Sequence, residues 1–226
     1  MAESKRIVAL VPMRHASERV PGKNYRELAG KPLFHHIMDC LLACEEISQV
    51  VVNTDSAPTK KGLEEHFPQV AVMDRPEDLR GGAVPMNAIL LHDVEHVSAD
   101  IYLQTHSTNP LLRPQTVSEA IQAFLKAQPE HDSLFSVTEL HTRLYDREGQ
   151  ALNHNPEELL RTQDLPPVYE ENSCIYIFTR QALLEHQHRV GSNPLLFPIP
   201  AQEALDIDEE LDFQLAEYFL RQRAAQ

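Results

Sequence analysis

The sequence predicts an α/β fold of three layers, a mainly parallel sheet with helices packed on both faces. Two observations carry this. Short, near-continuous apolar runs recur along the chain, and stretches of helical period separate them as far as residue 139. Strands that are apolar on both faces belong in a sheet covered on both sides.

Taken in order, "RIVALVP" (6–12) is a β-rich run, and "PLFHHIMDCLLACEE" (32–46) has helical period with Pro32 in its first turn. "QVVVNT" (49–54) is the second strand and "APTKKGLEEHF" (57–67) the next helix. "QVAVMD" (69–74) is a strand, "AVPMNAILLHDVEHV" (83–97) a helix, and "DIYLQT" (100–105) a strand. "RPQTVSEAIQAFLKA" (113–127) is a helix, and "DSLFSVTE" (132–139) a strand. The alternation then breaks. Residues from about 139 to 170 are polar and rich in turn formers, yet Leu, Tyr and Val recur there, so an ordered arm fits better than a disordered insert. "NSCIYIFT" (172–179) restores a strand, and "ELDFQLAEYFLRQRAA" (210–225) is an amphipathic terminal helix. With no repeat or linker composition, the reading is one domain over 1–226 carrying an inserted arm. Right-handed crossovers then put ligands at the carboxyl ends of the strands.

Composition narrows the function. The chain has 226 residues, 42% of them apolar, with 20 basic against 34 acidic side chains and a net charge of −14. Such a surface argues against a general nucleic-acid binder or an anionic-membrane binder. Cys40, Cys44 and Cys174 form no CxxC pair, and the first two sit four apart in an apolar run, as buried helix positions do. No apolar run reaches membrane-spanning length and "MAESKR" opens no signal peptide, so a cytoplasmic protein is expected. His92 and His96 share a helix face without an acidic third ligand at matching spacing, and the adjacent His35 and His36 face different ways. A histidine metal site is therefore not expected.

Against that acidity, "VPMRHASERVPGKN" (11–24) gathers Arg14, Arg19 and Lys23 beside Ser17, just after the first strand. It is no glycine-rich phosphate cradle: only Gly22 precedes Lys23-Asn24, and no GxGxxG occurs anywhere. Arginine forks and a lysine can hold phosphate oxygens by charge-assisted bonds. A solvated loop paired with the acidic excess is the other reading, and composition alone leaves both open.

The spacing of several motifs goes further. The chain resembles the acylneuraminate cytidylyltransferase family, whose signature is roughly "(I/V)P-A-R-x-x-S-K-x-(I/L)-P-x-K-N" followed by "L-x-G-K-P-L". Here those segments read "VPMRHASERVPGKN" and "LAGKPL". "VVVNTDS", "DRPEDL", "LQTHSTNPLLRP", "TQDLPPVYEENSCIYIF" and "LDIDEELDFQLAE" resemble further family segments in the family's order. The resemblance implies a Rossmann-like nucleotide-diphospho-sugar transferase fold with a dimerisation arm. It also implies transfer of CMP from CTP to the anomeric hydroxyl of an acidic 2-keto sugar, with release of pyrophosphate.

It further implies that Arg14, Ser17 and Lys23 hold the CTP phosphates, that Asn24 and Arg75 lie at the cytidine, and that Gln104 meets the sugar. Asp206 and Asp208 would ligate Mg²⁺. Two carboxylates at i and i+2 of an extended segment do share a face, and hard oxygen ligands suit that ion. Asp208 also fits as a cap for the final helix, a reading compatible with metal binding. Arg14, Lys23 and Asp208 are the candidate catalytic residues, with the acceptor hydroxyl's base left open. Arg143 and Arg161, in the arm, are candidates for the sugar's carboxylate. Tyr176 is a candidate sugar contact, as is Tyr169, and core positions suit both tyrosines equally. A homodimer is expected, because the family's arm crosses to a neighbouring subunit.

Three departures stand out. Glu18 replaces the family's lysine, with Arg19 next to it; "VPM", ending at Met86, stands where Ala-Ser-Ser is usual; and Ser173 replaces the glycine of Asn-Gly-Ala. They leave open a different base or sugar. A glycosyltransferase fits less well, because its Asp-x-Asp follows a mid-chain strand. An octulosonic acid also fits less well, because "QTHSTNPLL" does not resemble "QGDEP".

Overall fold

The computed structural model describes residues 5–17 and 19–225. Its frame is a seven-stranded sheet with helices on both faces, the layering the sequence predicts. In chain order the elements are β1 (Ile7–Met13), the short pair β2 (Glu27–Leu28) and β3 (Lys31–Pro32), and α1 (Leu33–Leu42). Then come β4 (Gln49–Thr54), α2 (Ala57–His66), β5 (Ala71–Asp74), α3 (Met86–His96), β6 (Ile101–Gln104) and α4 (Pro114–Ala127). β7 (Ser133–Leu140), β8 (Val168–Thr179), α5 (Arg180–His186), β9 (Pro194–Pro198) and α6 (Glu210–Ala224) complete the chain.

The strand order is β5-β4-β1-β6-β8-β7-β9. β8 runs antiparallel to both of its neighbours, and the other pairings in the sheet are parallel. Alternation along β1 divides the core. Ile7, Ala9, Val11 and Met13 pack against Phe34, Ile37 and Leu41 of α1 and Ile121 and Phe124 of α4. Val8 and Leu10 face the opposite way, toward Leu90 and Val94 of α3 and Leu183 of α5. All three cysteines are buried and unpaired, and burial raises their thiol pKa values. Among the described residues no helix is long and apolar enough to cross a membrane.

A third, smaller cluster positions the site. Val20, Leu28, Leu33, Ile207, Phe213 and Ala216 bury one another, with Val20 and Ile207 fully enclosed. Val20 lies in the cationic loop and Ile207 lies between Asp206 and Asp208. Burying each contributes about 1.5–3 kcal/mol. That contact pins the loop to the acidic segment. It also turns the side chains of residues 206 and 208 away from Ile207.

Some boundaries differ from the sequence reading. α1 begins after Pro32, which sits at its N-cap, and ends at Leu42 rather than 46; α3 begins only after Pro85. β8 starts at Val168, inside the expected arm, and Val168–Glu171 pair with Leu140–Val137 as a two-stranded ribbon before the register shifts. The excursion between the two strands carries a Tyr145–Ala151 bridge and a short 3-10 turn at Thr162–Asp164. β9 and α5 went unread, because Pro194 and Pro198 bracket β9 at the sheet edge and α5 is seven residues long.

Candidate active site

Where β1 ends, the chain turns into a cleft of about 420 Å³. Among the described residues its lining includes Arg14, Arg19, Lys23 and Arg75 against one carboxylate, Asp208. In a chain of net charge −14 this is a local reversal of sign, suited to a polyanion. Ser17 and Asn24 also line the cleft, and Gly81, Gly82 and Met86 form part of its wall.

The loop holds its cations by a backbone device. Gly22, with φ 66°, is the N-cap of a 3-10 turn at Lys23–Tyr25. The amides of Tyr25 and Arg26 both reach the Gly22 carbonyl, at 3.1 and 3.0 Å. Asn24 then faces inward: its Nδ2 donates to the Arg14 carbonyl at 3.0 Å, and its Oδ1 accepts from the Ser107 hydroxyl at 2.6 Å. A Cβ at residue 22 would stand 2.9 Å from the Tyr25 ring, in a backbone region unfavourable to L side chains. Gly22→Ala is therefore expected to cost about 1–2 kcal/mol. Thermal unfolding should show a lower melting temperature.

Lys23 joins the two halves of the site. Its Nζ donates to the Ile207 carbonyl and lies 3.9 Å from Asp208 Oδ1. Burial lowers the ammonium's pKa, against the pull of Asp206 and Asp208. Arg19 pairs with Asp208 at 2.6 Å; its neighbour Glu18 lies outside the described residues. Asp208 is half exposed at the cleft, whereas Asp206 is largely buried. Asp206 Oδ1 has no hydrogen-bond partner, and burial, the main cause, raises the carboxyl's pKa. Unlike Asp208, Asp206 does not line the main cleft; it lines a second cavity with Glu170, Glu171 and Ser173. Asp212 accepts from the Asp208 and Glu209 amides at 3.0 and 2.8 Å, so the cap of α6 is carried by Glu209 and Asp212 rather than by Asp208.

Arg75 is buried beside the cleft. Its Nε donates to Asn53 Oδ1 at 2.8 Å and its Nη2 to the Asn53 carbonyl at 2.9 Å. Asn53 in turn donates to the buried Asp93, whose pKa burial raises. Asn53 thus fixes the Arg75 guanidinium in the wall of the cleft.

At the other end stand Gln104 and Tyr176, paired across β6 and β8 and fully buried. Neither lines the main cleft; His106 does, and Gln104 Nε2 lies 3.1 Å from His106 Nε2. Burial, with help from Arg189 and Lys23, pushes the His106 pKa down to about 4, so the ring is neutral near pH 7. The Tyr176 hydroxyl bonds to Glu171 and to Ser173 Oγ. Ser173 has φ 58°, so the glycine usual in the resembled family is explained by a left-handed backbone. Arg143 and Arg161 are on the exposed excursion, away from the cleft. Arg143 donates to the Leu160 carbonyl and Arg161 pairs with Asp164 at 2.7 Å. Tyr169 is exposed on the ribbon. His106 and Arg189 were missed from the sequence, the first because it fills an unspecified position of the segment "LQTHSTNPLLRP" and the second because it stands in no motif.

A cation-lined cleft at the carboxyl ends of parallel strands, with Asp208 in its wall and Asp206 two residues away, has the character of a nucleotide-handling site. The family comparison agrees: residues 8–224 match the cytidylyltransferase model, and the chain belongs to that family. It is 29% identical to the CMP-N,N'-diacetyllegionaminic acid synthase of Legionella pneumophila, over 94% of this chain and 95% of that one. The pseudaminic acid cytidylyltransferase of Campylobacter jejuni is 26% identical, over 92% and 94%. N-acylneuraminate cytidylyltransferase A of Danio rerio is 26% identical over 95% of this chain, which spans only 51% of that longer protein. Among solved structures, CMP:2-keto-3-deoxy-manno-octonic acid synthetase complexed with CTP superposes with TM-score 0.72 at 18% identity, covering 96% of this chain and 99% of that one. The 4-diphosphocytidyl-2C-methyl-D-erythritol synthase of Anaerococcus prevotii gives TM-score 0.72 at 12% identity, over 97% of both. Both likenesses are of fold.

Proposed function

We propose that this chain transfers CMP from CTP to the anomeric hydroxyl of an acidic 2-keto sugar of the neuraminic, legionaminic or pseudaminic kind. The observation that carries the reading is the cleft itself: Arg14, Arg19, Lys23 and Arg75 converge on one volume, with Asp208 at its edge. A triphosphate brings about four negative charges, which this set suits. The family membership and the names of the relatives support cytidine as the base and a nonulosonic acid as the acceptor.

In this reading Arg14, Ser17 and Lys23 hold the phosphates, while Asn24 and Arg75 flank the nucleoside. The sugar oxygen attacks the α-phosphorus, the α–β bridging bond breaks, and pyrophosphate leaves with its charge held by Arg14 and Lys23. Asp206 and Asp208 would hold Mg²⁺. The unpartnered Asp206 oxygen fits a hard cation, which when bound neutralises phosphate charge. Gln104 and Tyr176 shape the acceptor end. Exposed Leu144, Tyr145, Leu152 and Leu159 on the excursion support a homodimer in which Arg143 and Arg161 reach a neighbouring site. Three unpaired cysteines support a reducing, cytoplasmic setting.

The test is pyrophosphate release with Mg²⁺ across the four nucleoside triphosphates and a panel of N-acetylneuraminic, diacetyllegionaminic, pseudaminic and octulosonic acids. Turnover is expected with CTP and at least one of the first three. Turnover confined to another nucleotide, or none with any acid, would overturn the reading.

A further inference from the structure

Arg189 is the cation whose placement the nucleotide does not explain. It lies in the loop between α5 and β9, and its amide docks on Asn87 in the first turn of α3 at 3.3 Å. Its guanidinium carbon stands over the Tyr176 ring, 3.5 Å from the centroid, and Nη1 donates to Gln104 Oε1 at 2.5 Å. Two sides are therefore fixed, one by the aromatic face and one by the amide.

The remaining edge is open. Among the described residues Arg189 has no carboxylate within ion-pair distance, unlike Arg19, Arg26, Arg113, Arg161 and Arg221. Glu171, the nearest acid to influence it, is bonded by the Tyr176 hydroxyl instead. Nor are Arg189's free N–H groups among the enclosed polar atoms that lack partners. The side chain is only partly buried, and its charge acts on His106, which lines the cleft. An arginine half withdrawn from water, stacked and without an acid is costly unless an anion completes it.

The acceptor's chemistry supplies that anion. In a 2-keto sugar acid the carboxyl is bonded to the anomeric carbon, so it must come close to the α-phosphate as the anomeric oxygen attacks. Two anions brought together need a cation between or beside them, distinct from those on the β- and γ-phosphates. His106 feels the charge of both Arg189 and Lys23 and, being neutral, adds no competing charge.

We propose that Arg189 is a specificity-determining residue of the site, the cation of this chain that receives the acceptor's carboxylate, with Gln104 and Tyr176 as its positioning partners. This rests on the transfer reaction proposed above.

The experiment uses the full chain, CTP, Mg²⁺ and whichever panel acid turns over fastest, beside the methyl ester of that acid. Wild type should prefer the acid to the ester by about 100-fold in kcat/KM, the worth of a charge-assisted bidentate contact. Arg189→Met should raise KM for the acid about 30-fold or more, leave the ester and the KM for CTP nearly unchanged, and so erase most of the preference. Arg189→Lys, which keeps the charge and guards against misfolding, should recover part of it. The proposal is overturned if acid and ester lose activity together in both variants, or if Arg189→Met keeps the preference while Arg143→Ala or Arg161→Ala loses it. Wild type that transfers CMP to no acid would instead remove the parent reading, and this proposal with it.

Discussion

Lys23→Ala is expected to lower kcat for pyrophosphate release by on the order of 10²–10³-fold, the usual consequence of removing one pre-aimed donor from a developing anion. Lys23 is the best placed of the cations to have that effect. Its side chain is only 14% exposed, so its charge acts in a poorly screened setting, and burial already holds its pKa below the ordinary value. The same ammonium donates to the Ile207 carbonyl, tying the phosphate loop to the segment that carries Asp206 and Asp208. Alanine therefore removes a contact to the nucleotide and a brace between the halves of the site. Loss of the brace should cost about 1–3 kcal/mol, since a buried carbonyl loses its charged donor. That is a large fraction of a domain's stability but less than the whole of about 5–15 kcal/mol, so the variant folds, with a lower melting temperature. Steady-state kinetics, a thermal melt and CTP titration separate the two losses. Near-wild-type turnover by a folded Lys23→Ala protein would remove Lys23 from the chemistry.

The sequence made the frame legible because most of its strands are buried on both faces. β1, β4 and β6 read as plain apolar runs, and the helices between them follow one period. The cationic loop was legible for another reason: its residues are close in sequence, so spacing alone showed the cluster. What stayed hidden is what only tertiary contact creates. Val20 meets Ile207 across 187 positions (207 − 20), and that contact orients both the lysine and the carboxylates. Arg189 reaches Gln104 from 85 residues away and Tyr176 from the far side of α5, out of a loop with no motif. β9 was masked by the prolines that an edge strand tolerates. Residue 173 read only as a missing glycine until its positive φ gave the reason.

Asp206→Asn is expected to do two opposite things: to abolish most turnover and to make the metal-free protein more stable. The geometry behind both is one buried carboxylate whose Oδ1 finds no donor. A charge withdrawn from water without full hydrogen bonding is costly, and the nearby Asp208 adds to that cost. An amide of the same shape removes the charge, so stability should rise by about 1 kcal/mol or more, which for a domain of this size is a gain of about 2–4 °C in melting temperature. The group is retained despite this because a carboxylate that Thr108 steadies but whose Oδ1 has no donor is free to turn that oxygen to a cation. Mg²⁺ with CTP should therefore raise the wild-type melting temperature well above its metal-free value and raise that of Asp206→Asn far less. Asp208→Asn is the control: its side chain is 46% exposed and already paired with Arg19, so it should lose activity without gaining stability. Melting curves with and without Mg²⁺ and CTP, beside pyrophosphate-release rates, read all of these. If metal-free Asp206→Asn melts no higher than wild type and gains as much from Mg²⁺ and CTP, then Asp206 is a structural acid and the metal must be held elsewhere.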